Sequence, residues 1–480
     1  FHILELPADF RIGDERELDV LRMQTARAEI AGRYEKGTPV FFDLVELLSS
    51  SRNDTKLEAS VLRLYGFVRN HPFYEEWLNK VLASYSDAKE LEQSPWFDII
   101  MDYTRDALNH CCGVLTSALA RMRQDEQLYN AYSAAFINDL AQLEHCREHF
   151  ASPSWDDCRE AVNGITFGSL GRLAGYEDEA RKKQIQSIRA DVNKIITALK
   201  ERLVLLSSRD YTEDMCALTP LVSELFDITM EFDKKLTEAK LAKKTLDFGD
   251  LEHYTLRLLY DSRDGQHRVS ELARELREQY YEILIDEYQD TNGAQEMIFR
   301  ALTKEGGNRF LVGDVKQSIY RFRQARPENF LEKKESFAPF DGVTFPAKIS
   351  LSANFRTRSE ATGIINFIFG MVMSKKIGEM EYGAEDALYS AGSYDYSESI
   401  PVQLLITDPS LAGDEESSVS EARVVAAEIR RLLSEKTQVQ GKGGARELEA
   451  GDICVLLRSR GRMQAYMNAL DRQGIRCWSD

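Results

Sequence analysis

In the stretch ILIDEYQDTNGAQ an apolar run, Ile283–Ile285, reads as a strand that delivers two adjacent carboxylates, Asp286 and Glu287, to its end. The first of such a pair can hold Mg²⁺ beside a nucleotide, and the second can orient or deprotonate an attacking water. On its own the pair is more often a solvated turn or a helix N-cap. A second strand, in FLVGDVKQSIYRFRQA, ends at Gly313 and Asp314 and is followed by Gln317, whose amide can sense a γ-phosphate by hydrogen bonding. Tyr320, Arg321, Phe322 and Arg323 come next. Interleaved aromatic and guanidinium groups suit the stacking of bases and the holding of phosphates of a single strand, although an amphipathic helix with core aromatics would read the same way. A third run, ISLSANFRTRSE, places Arg356 at a strand end, where a guanidinium can stabilise charge on a transferring phosphoryl group or make an ordinary surface salt bridge. Upstream, LDFGDLEHYTLRLL sets Asp247, Phe248 and Asp250 at the start of an amphipathic helix, with Asp250 favoured as a cap.

These groups need a scaffold that brings them to one pocket. Residues 246–372 read as an α/β domain, with short apolar runs separated by helices and each run ending in polar residues, as buried parallel strands do. Three neighbouring strands of this domain are expected to gather the acidic couple, Gln317 and Arg356. Residues 1–245 carry helical periodicity almost throughout. One long helix has Ile185, Ile188, Val192, Ile195, Leu199 and Leu206 on its seam, and a second has Leu218, Val222, Leu225, Thr229, Phe232, Leu236 and Ala239. Their narrow stripes predict an antiparallel hairpin. Residues 373–400 read as a linker, and residues 401–480 open a second α/β unit with strands PVQLLIT and DICVLLRS around the helix EARVVAAEIRRLLSEK and the loop QGKGG.

A chain of 480 residues predicts two to four domains. The net charge of −18 excludes binding of nucleic acid over the whole surface but leaves room for a local basic channel. No apolar run approaches the roughly 18–20 residues needed to cross a bilayer, so a membrane protein is not expected. Seven cysteines without a CxxC pair or zinc-type spacing predict reduced, mostly buried thiols and a cytoplasmic location. The chain opens on Phe1 and stops soon after a strand and helix, so both ends read as cuts within a longer protein. No GxxxxGK[ST] loop occurs, and the only Gly-Lys pair, Gly441-Lys442, is followed by Gly443. Without that loop ATP is gripped poorly, so the 480 residues alone are expected to have negligible ATPase, helicase or nuclease activity.

Taken together and in this order, LDFGDLE, DEYQDTN, GDVKQSIYRFRQA and NFRT resemble the motifs of the UvrD-like superfamily 1 helicases, and within them the AddA subunits of bacterial helicase-nucleases. The opening PADFRIGDERE resembles a stretch that follows an early DNA-binding motif in AddA-type chains. The resemblance spans nearly the whole chain, though the helical region is matched by type more than by residue. It implies a partial RecA-like P-loop motor domain with a large all-helical insertion and the start of a second RecA-like domain. It further implies an ATP-dependent motor moving 3′ to 5′ on DNA in double-strand break repair and recombination, with an exonuclease beyond Asp480 and an AddB-type partner subunit. By the same resemblance Asp286 coordinates Mg²⁺, Glu287 activates water, Gln317 contacts the γ-phosphate of ATP and Arg356 supplies positive charge to it, while Tyr320, Arg321, Phe322 and Arg323 face DNA. Many relatives carry Trp where Phe322 stands. A noncatalytic, DNA-binding scaffold of the same fold is the alternative, disfavoured because Asp286, Glu287, Gln317 and Arg356 are all present.

Overall fold

The computed structural model describes all residues except 1–3, 5, 7, 8, 49–53, 87–89, 151–153, 264, 395–401, 408–416, 442 and 480. It is mostly helical and divides into two compact units: Phe1–Val312 with Ile319–Arg326, and Gly313–Ser318 with Pro327–Asp480.

Among the described residues, the first unit has β1 (Arg11–Ile12) followed by the helices α1 (Glu15–Lys36), α2 (Pro39–Leu48), α3 (Thr55–Val68), α4 (Tyr74–Ser86), α5 (Phe97–Met122), α6 (Glu126–His149), α7 (Trp155–Gly164), α8 (Glu179–Arg202) and α9 (Ser208–Ala242). Five of these starts follow from short polar side chains: Asp14, Asp125, Ser154 and Asp178 each accept a first-turn N–H, and Ser207 forms a reciprocal capping box with Asp210. The expected α8–α9 hairpin is replaced by two separate cores. Ile185, Val192, Ile196 and Leu199 of α8 are buried with α5–α7 around Trp155, Phe136 and Leu115. Ile228, Phe232 and Leu236 of α9 are buried with α1–α3 around Phe41, Leu57 and Val61. An apolar stripe specifies that a face is buried, not which helix covers it. Leu206 lies past the end of α8, and Leu218 is exposed in a stretch of α9 that has no buried residue between Ser208 and Ile228.

After α9 come β2 (Thr245–Leu246), which pairs in parallel with β1, then α10 (Phe248–Leu259), the antiparallel hairpin of β3 (Tyr260–Arg263) and β4 (Gln266–Val269), and α11 (Glu271–Gln279). Next are β5 (Ile283–Ile285), α12 (Gly293–Leu302) and β6 (Arg309–Leu311). Leu256 and Leu259 of α10, Ala273 of α11, and Ala294 and Ala301 of α12 form the core beside these strands. β5 and β6 are parallel, with Leu284 opposite Phe310. Only Ile285 of β5 is buried; Leu284 and Phe310 are 70% and 58% exposed, so one face of this two-stranded sheet is open, unlike the doubly buried strands expected.

The second unit contains α13 (Glu328–Ser336), the parallel pair β7 (Ala338–Pro339) and β8 (Ala347–Lys348), β9 (Ala353–Asn354), α14 (Ser359–Val372), α15 (Lys375–Gly378) and β10 (Tyr389–Ser390). β9 pairs in parallel with β10. The run KISLSANF therefore forms two short strands, and the strand that leads to Arg356 lies beside Tyr389–Ser390 among the described residues. Residues 373–400, read as a linker, hold α15 and β10; 395–400 lie outside the described residues. Farther on, α16 (Ser417–Ser434) packs on α17 (Met463–Arg472) through Ala426, Ile429, Leu470 and Ile475, and the Gln440–Gly441 and Gly444 ends of the expected loop belong to the antiparallel pair β11 (Gln438–Gly441) and β12 (Gly444–Glu447), with Lys442 outside the described residues. Val402–Thr407 and Ile453–Leu457, expected as strands, have no strand partner among the described residues, and Leu404, Ile406 and Leu456 are exposed. An apolar run becomes a strand only where a neighbour takes up its backbone hydrogen bonds.

Candidate functional site

The β5 strand is tied to β6 along its full length and one step beyond. Ile283 N–H donates to Asn308 O at 2.8 Å, Val312 N–H to Ile285 O at 2.8 Å and Tyr288 N–H to Val312 O at 2.9 Å. This ladder presents Asp286 and Glu287 side by side, both exposed, at the carboxyl end of the strand. Asp286 Oδ1 accepts the Glu287 N–H at 2.9 Å. Glu287 has φ 48° and ψ 41°, a left-handed conformation uncommon outside glycine. The chain then makes a 3₁₀ turn, Tyr288–Asp290, in which Tyr288 and Gln289 are buried and Gln289 Nε2 donates to Glu287 Oε2 at 2.7 Å. Burial, and then the neighbouring Glu287 charge, raise the Asp290 carboxyl above its usual range.

Asn292 caps α12 in a reciprocal box with Gln295, and both amides donate to the Glu252 carboxylate of α10, at 3.1 and 2.8 Å. At the first position of α12, Gly293 lets the chain pass close to the end of α3: a Cβ there would stand 3.1 Å from Asn70 O, to which Ala294 N–H donates at 3.1 Å.

The segment Ile319–Arg326 belongs to the same unit and is pinned there by Arg326 N–H donating to Thr291 O at 2.8 Å. Arg321–Arg323 is a 3₁₀ turn rather than an amphipathic helix, so its side chains do not enter a core. The Tyr320 and Phe322 ring centroids are 5.7 Å apart, and the Arg323 guanidinium lies 5.1 and 5.7 Å from them. Phe322 is 73% exposed. These groups line a cleft of about 1020 Å³ together with Phe248, Asp290 and Asn292. Phe248, 72% exposed at the start of α10, lines the cleft but is not among the candidate site residues read from the sequence; an aromatic just after an N-cap in LDFGDLE is the signal that could have placed it there.

Beneath the cleft, Asp247 and Asp250 cap α10 reciprocally, with N–H···O distances of 2.8 and 2.9 Å, so the capping reading of Asp250 holds. The same carboxylates meet buried cations. Lys240 Nζ of α9 lies 3.1 Å from Asp247 and 2.6 Å from Asp250, and Arg69 Nη2 lies 2.9 Å from Asp250. Burial alone would raise Asp247, but Lys240 and the Asp250 N–H hold it down at about 2. For Asp250 burial outweighs Lys240, and its carboxyl is raised.

Gln317 and Arg356 lie in the second unit, and the expected sheet of three neighbouring strands is not found among the described residues, where β5 pairs with β6 and β9 pairs with β10. Asp314 caps a short 3₁₀ turn by accepting from Lys316 N–H at 3.1 Å and also receives the Gln317 amide at 3.0 Å. Gln317 is exposed. Asn354 Oδ1 accepts the N–H groups of Arg356 and Thr357 at 2.9 and 2.8 Å, a turn that leaves the Arg356 side chain exposed at the end of β9. On the helical lobe, Arg181 Nη2 donates to Arg121 O at 3.2 Å and Lys182 pairs with Glu179 at 2.9 Å.

Among the described residues no helix is long and apolar enough to cross a membrane, and no group of three or more His, Cys, Asp or Glu could hold a metal ion. Residues 133–338 match the UvrD/REP helicase N-terminal domain. The chain is 32% identical over 491 residues to the ATP-dependent helicase/nuclease AddA protein of Alkaliphilus oremlandii, covering 100% of this chain and 40% of that protein. It is 34% identical over 489 residues to the protein of the same name from Bacillus licheniformis, covering 99% and 39%. A third, from Thermoanaerobacter sp. strain X514, is 32% identical over 521 residues, covering 100% and 42%. The chain thus spans about 40% of the length of the curated relatives it matches. The exposed acidic pair at the end of β5 and the aromatic turn of the cleft both fall within the residues that match the UvrD/REP helicase N-terminal domain, and the whole chain is similar to these ATP-dependent helicase/nuclease proteins.

Proposed function

We propose that this chain is the part of an ATP-dependent helicase/nuclease subunit that couples ATP hydrolysis to 3′-to-5′ movement along single-stranded DNA, in double-strand break repair and recombination. On this reading residues 1–245 form the helical insertion of a RecA-like motor domain, 246–372 part of that domain, 373–400 a linker and 401–480 the start of a second one. An AddB-type partner, duplex DNA as the substrate unwound and a cytoplasmic location belong to the same proposal.

The observation that carries it is the exposed Asp286–Glu287 pair at the end of a parallel strand, in one unit with a cleft lined by Tyr320, Phe322, Arg323 and Phe248. Glu287 takes a proton from a water as the water oxygen bonds to the γ-phosphorus of ATP; the bond from that phosphorus to the bridging oxygen breaks, and ADP leaves with the electron pair. Gln317 orients the γ-phosphate, and Arg356 offsets the charge that develops on it. The donor set suits Mg²⁺, which takes one or two carboxylates and fills its coordination from phosphate and water; Asp286 is such a carboxylate. When bound, Mg²⁺ supplies charge neutralisation at the phosphates.

Replacing Glu287 by Gln in the full subunit keeps the shape and removes the base. DNA-stimulated ATP turnover should fall about a hundredfold or more, as for other lost general bases. Unchanged turnover would reject the assignment.

A further inference from the structure

We infer that Gln289 is a positioning residue that aims the Glu287 carboxylate at the attacking water, an inference that rests on the reading of Glu287 given above. The backbone supplies the first half of the device. Glu287 is held left-handed, at φ 48°, which a non-glycine residue keeps only where its surroundings over-determine it. Those surroundings are present. Tyr288 is fully buried, its N–H donates to Val312 O at 2.9 Å and its hydroxyl to Glu296 Oε2 at 2.5 Å, while Asp290 N–H donates back to Glu287 O at 2.8 Å. The direction of the Glu287 Cα–Cβ bond is thereby set, but the torsions beyond Cβ are not.

Gln289 supplies the second half. It is 1% exposed, so it has little room to change rotamer, and its Nε2 donates to Glu287 Oε2 at 2.7 Å. A buried amide that holds one oxygen of an exposed carboxylate through a charge-assisted hydrogen bond removes most of the freedom left to that side chain. Oε1 is then the oxygen that takes the proton from water. Two residues along the chain, the spacing E-x-Q makes this contact possible only because the left-handed residue folds the turn back on itself.

The test is Gln289→Met in the full subunit, which keeps length and bulk and removes the donor. DNA-stimulated kcat for ATP should fall about 30-fold, the size of a lost hydrogen bond to a charged group. The KM for ATP and the Kd for a single-stranded oligonucleotide should stay within about twofold, because Gln289 is buried and offers neither ligand a surface to contact. Glu287→Gln is measured in parallel. A loss of turnover there with full kcat in Gln289→Met overturns the positioning role alone; unchanged turnover in Glu287→Gln overturns the reading of Glu287 and this inference with it. A raised KM or a lowered Tm in Gln289→Met without the fall in kcat makes the residue a packing element and also overturns it. If the Met variant does not fold, Gln289→Asn, one methylene too short to reach Glu287, is read by the same criteria.

Discussion

Phe322 exposes most of its ring in a turn where a core aromatic would be buried. Its neighbours are Tyr320 and Arg323, and Phe248 lines the same cleft. Stacking of one base on such a ring contributes about 1–3 kcal/mol, whatever the base. Phe322→Ala should therefore weaken binding of an oligo-dT strand by about tenfold in fluorescence anisotropy, and Phe322→Trp should tighten it. An affinity indifferent to both changes would take the strand out of this cleft. The sequence offered the alternating aromatic and arginine side chains of this turn equally as an amphipathic helix, and the 3₁₀ turn that leaves Phe322 exposed is what separates the two readings. Phe248 and Gln289 were not legible in the sequence. One passes for a residue at a helix start, and the other acts only through a left-handed backbone that an acidic dipeptide does not announce.

Helix α10 carries the next argument, because the charges that fix its start are out of water. His253, one turn in from the cap, donates Nε2–H to Arg69 O at 2.7 Å; burial, and then the Arg69 charge, lower its pKa to about 4. The unfolded chain protonates this imidazole near pH 6.5 while the folded chain does not. Stability is therefore present above pH 6.5 and drains away as pH falls towards 4, by about 3 kcal/mol at most. Asp250, raised in the fold, acts in the opposite sense. Urea unfolding at pH 7.5 and pH 4.5 measures the sum, and His253→Gln, which can still donate to Arg69 O, should lose less stability between the two. Equal losses in both proteins would remove His253 as the cause. At this scale caps were readable, since Asp247 and Asp250 need only local spacing. The partners of α8 and α9 were not, since a stripe on one helix fits any complementary face. Strands were readable where both members of a pair were apolar, as in β5 and β6, and failed at Val402–Thr407, where hydrophobicity comes without a pairing neighbour among the described residues.

For the molecule as a whole, the balance of 61 basic against 79 acidic residues bears on how the proposed single strand would be held. A surface of net charge −18 repels a phosphate chain except where cations are gathered; Arg323 lines the cleft and Arg321 stands in the same turn. Each phosphate neutralised on a single strand contributes about −0.7 to the slope of log affinity against log salt. Two arginines predict a slope of about −1 to −2, with the remaining affinity carried by salt-insensitive stacking. Arg181 and Lys182 at the start of α8 add little on this account, because they are already engaged by Arg121 O and Glu179. Titration of oligo-dT binding from low to moderate salt gives the slope directly. A value near about −5 would mean that the strand lies across a broad basic surface, and the short aromatic turn would then be an incidental contact rather than the grip on DNA.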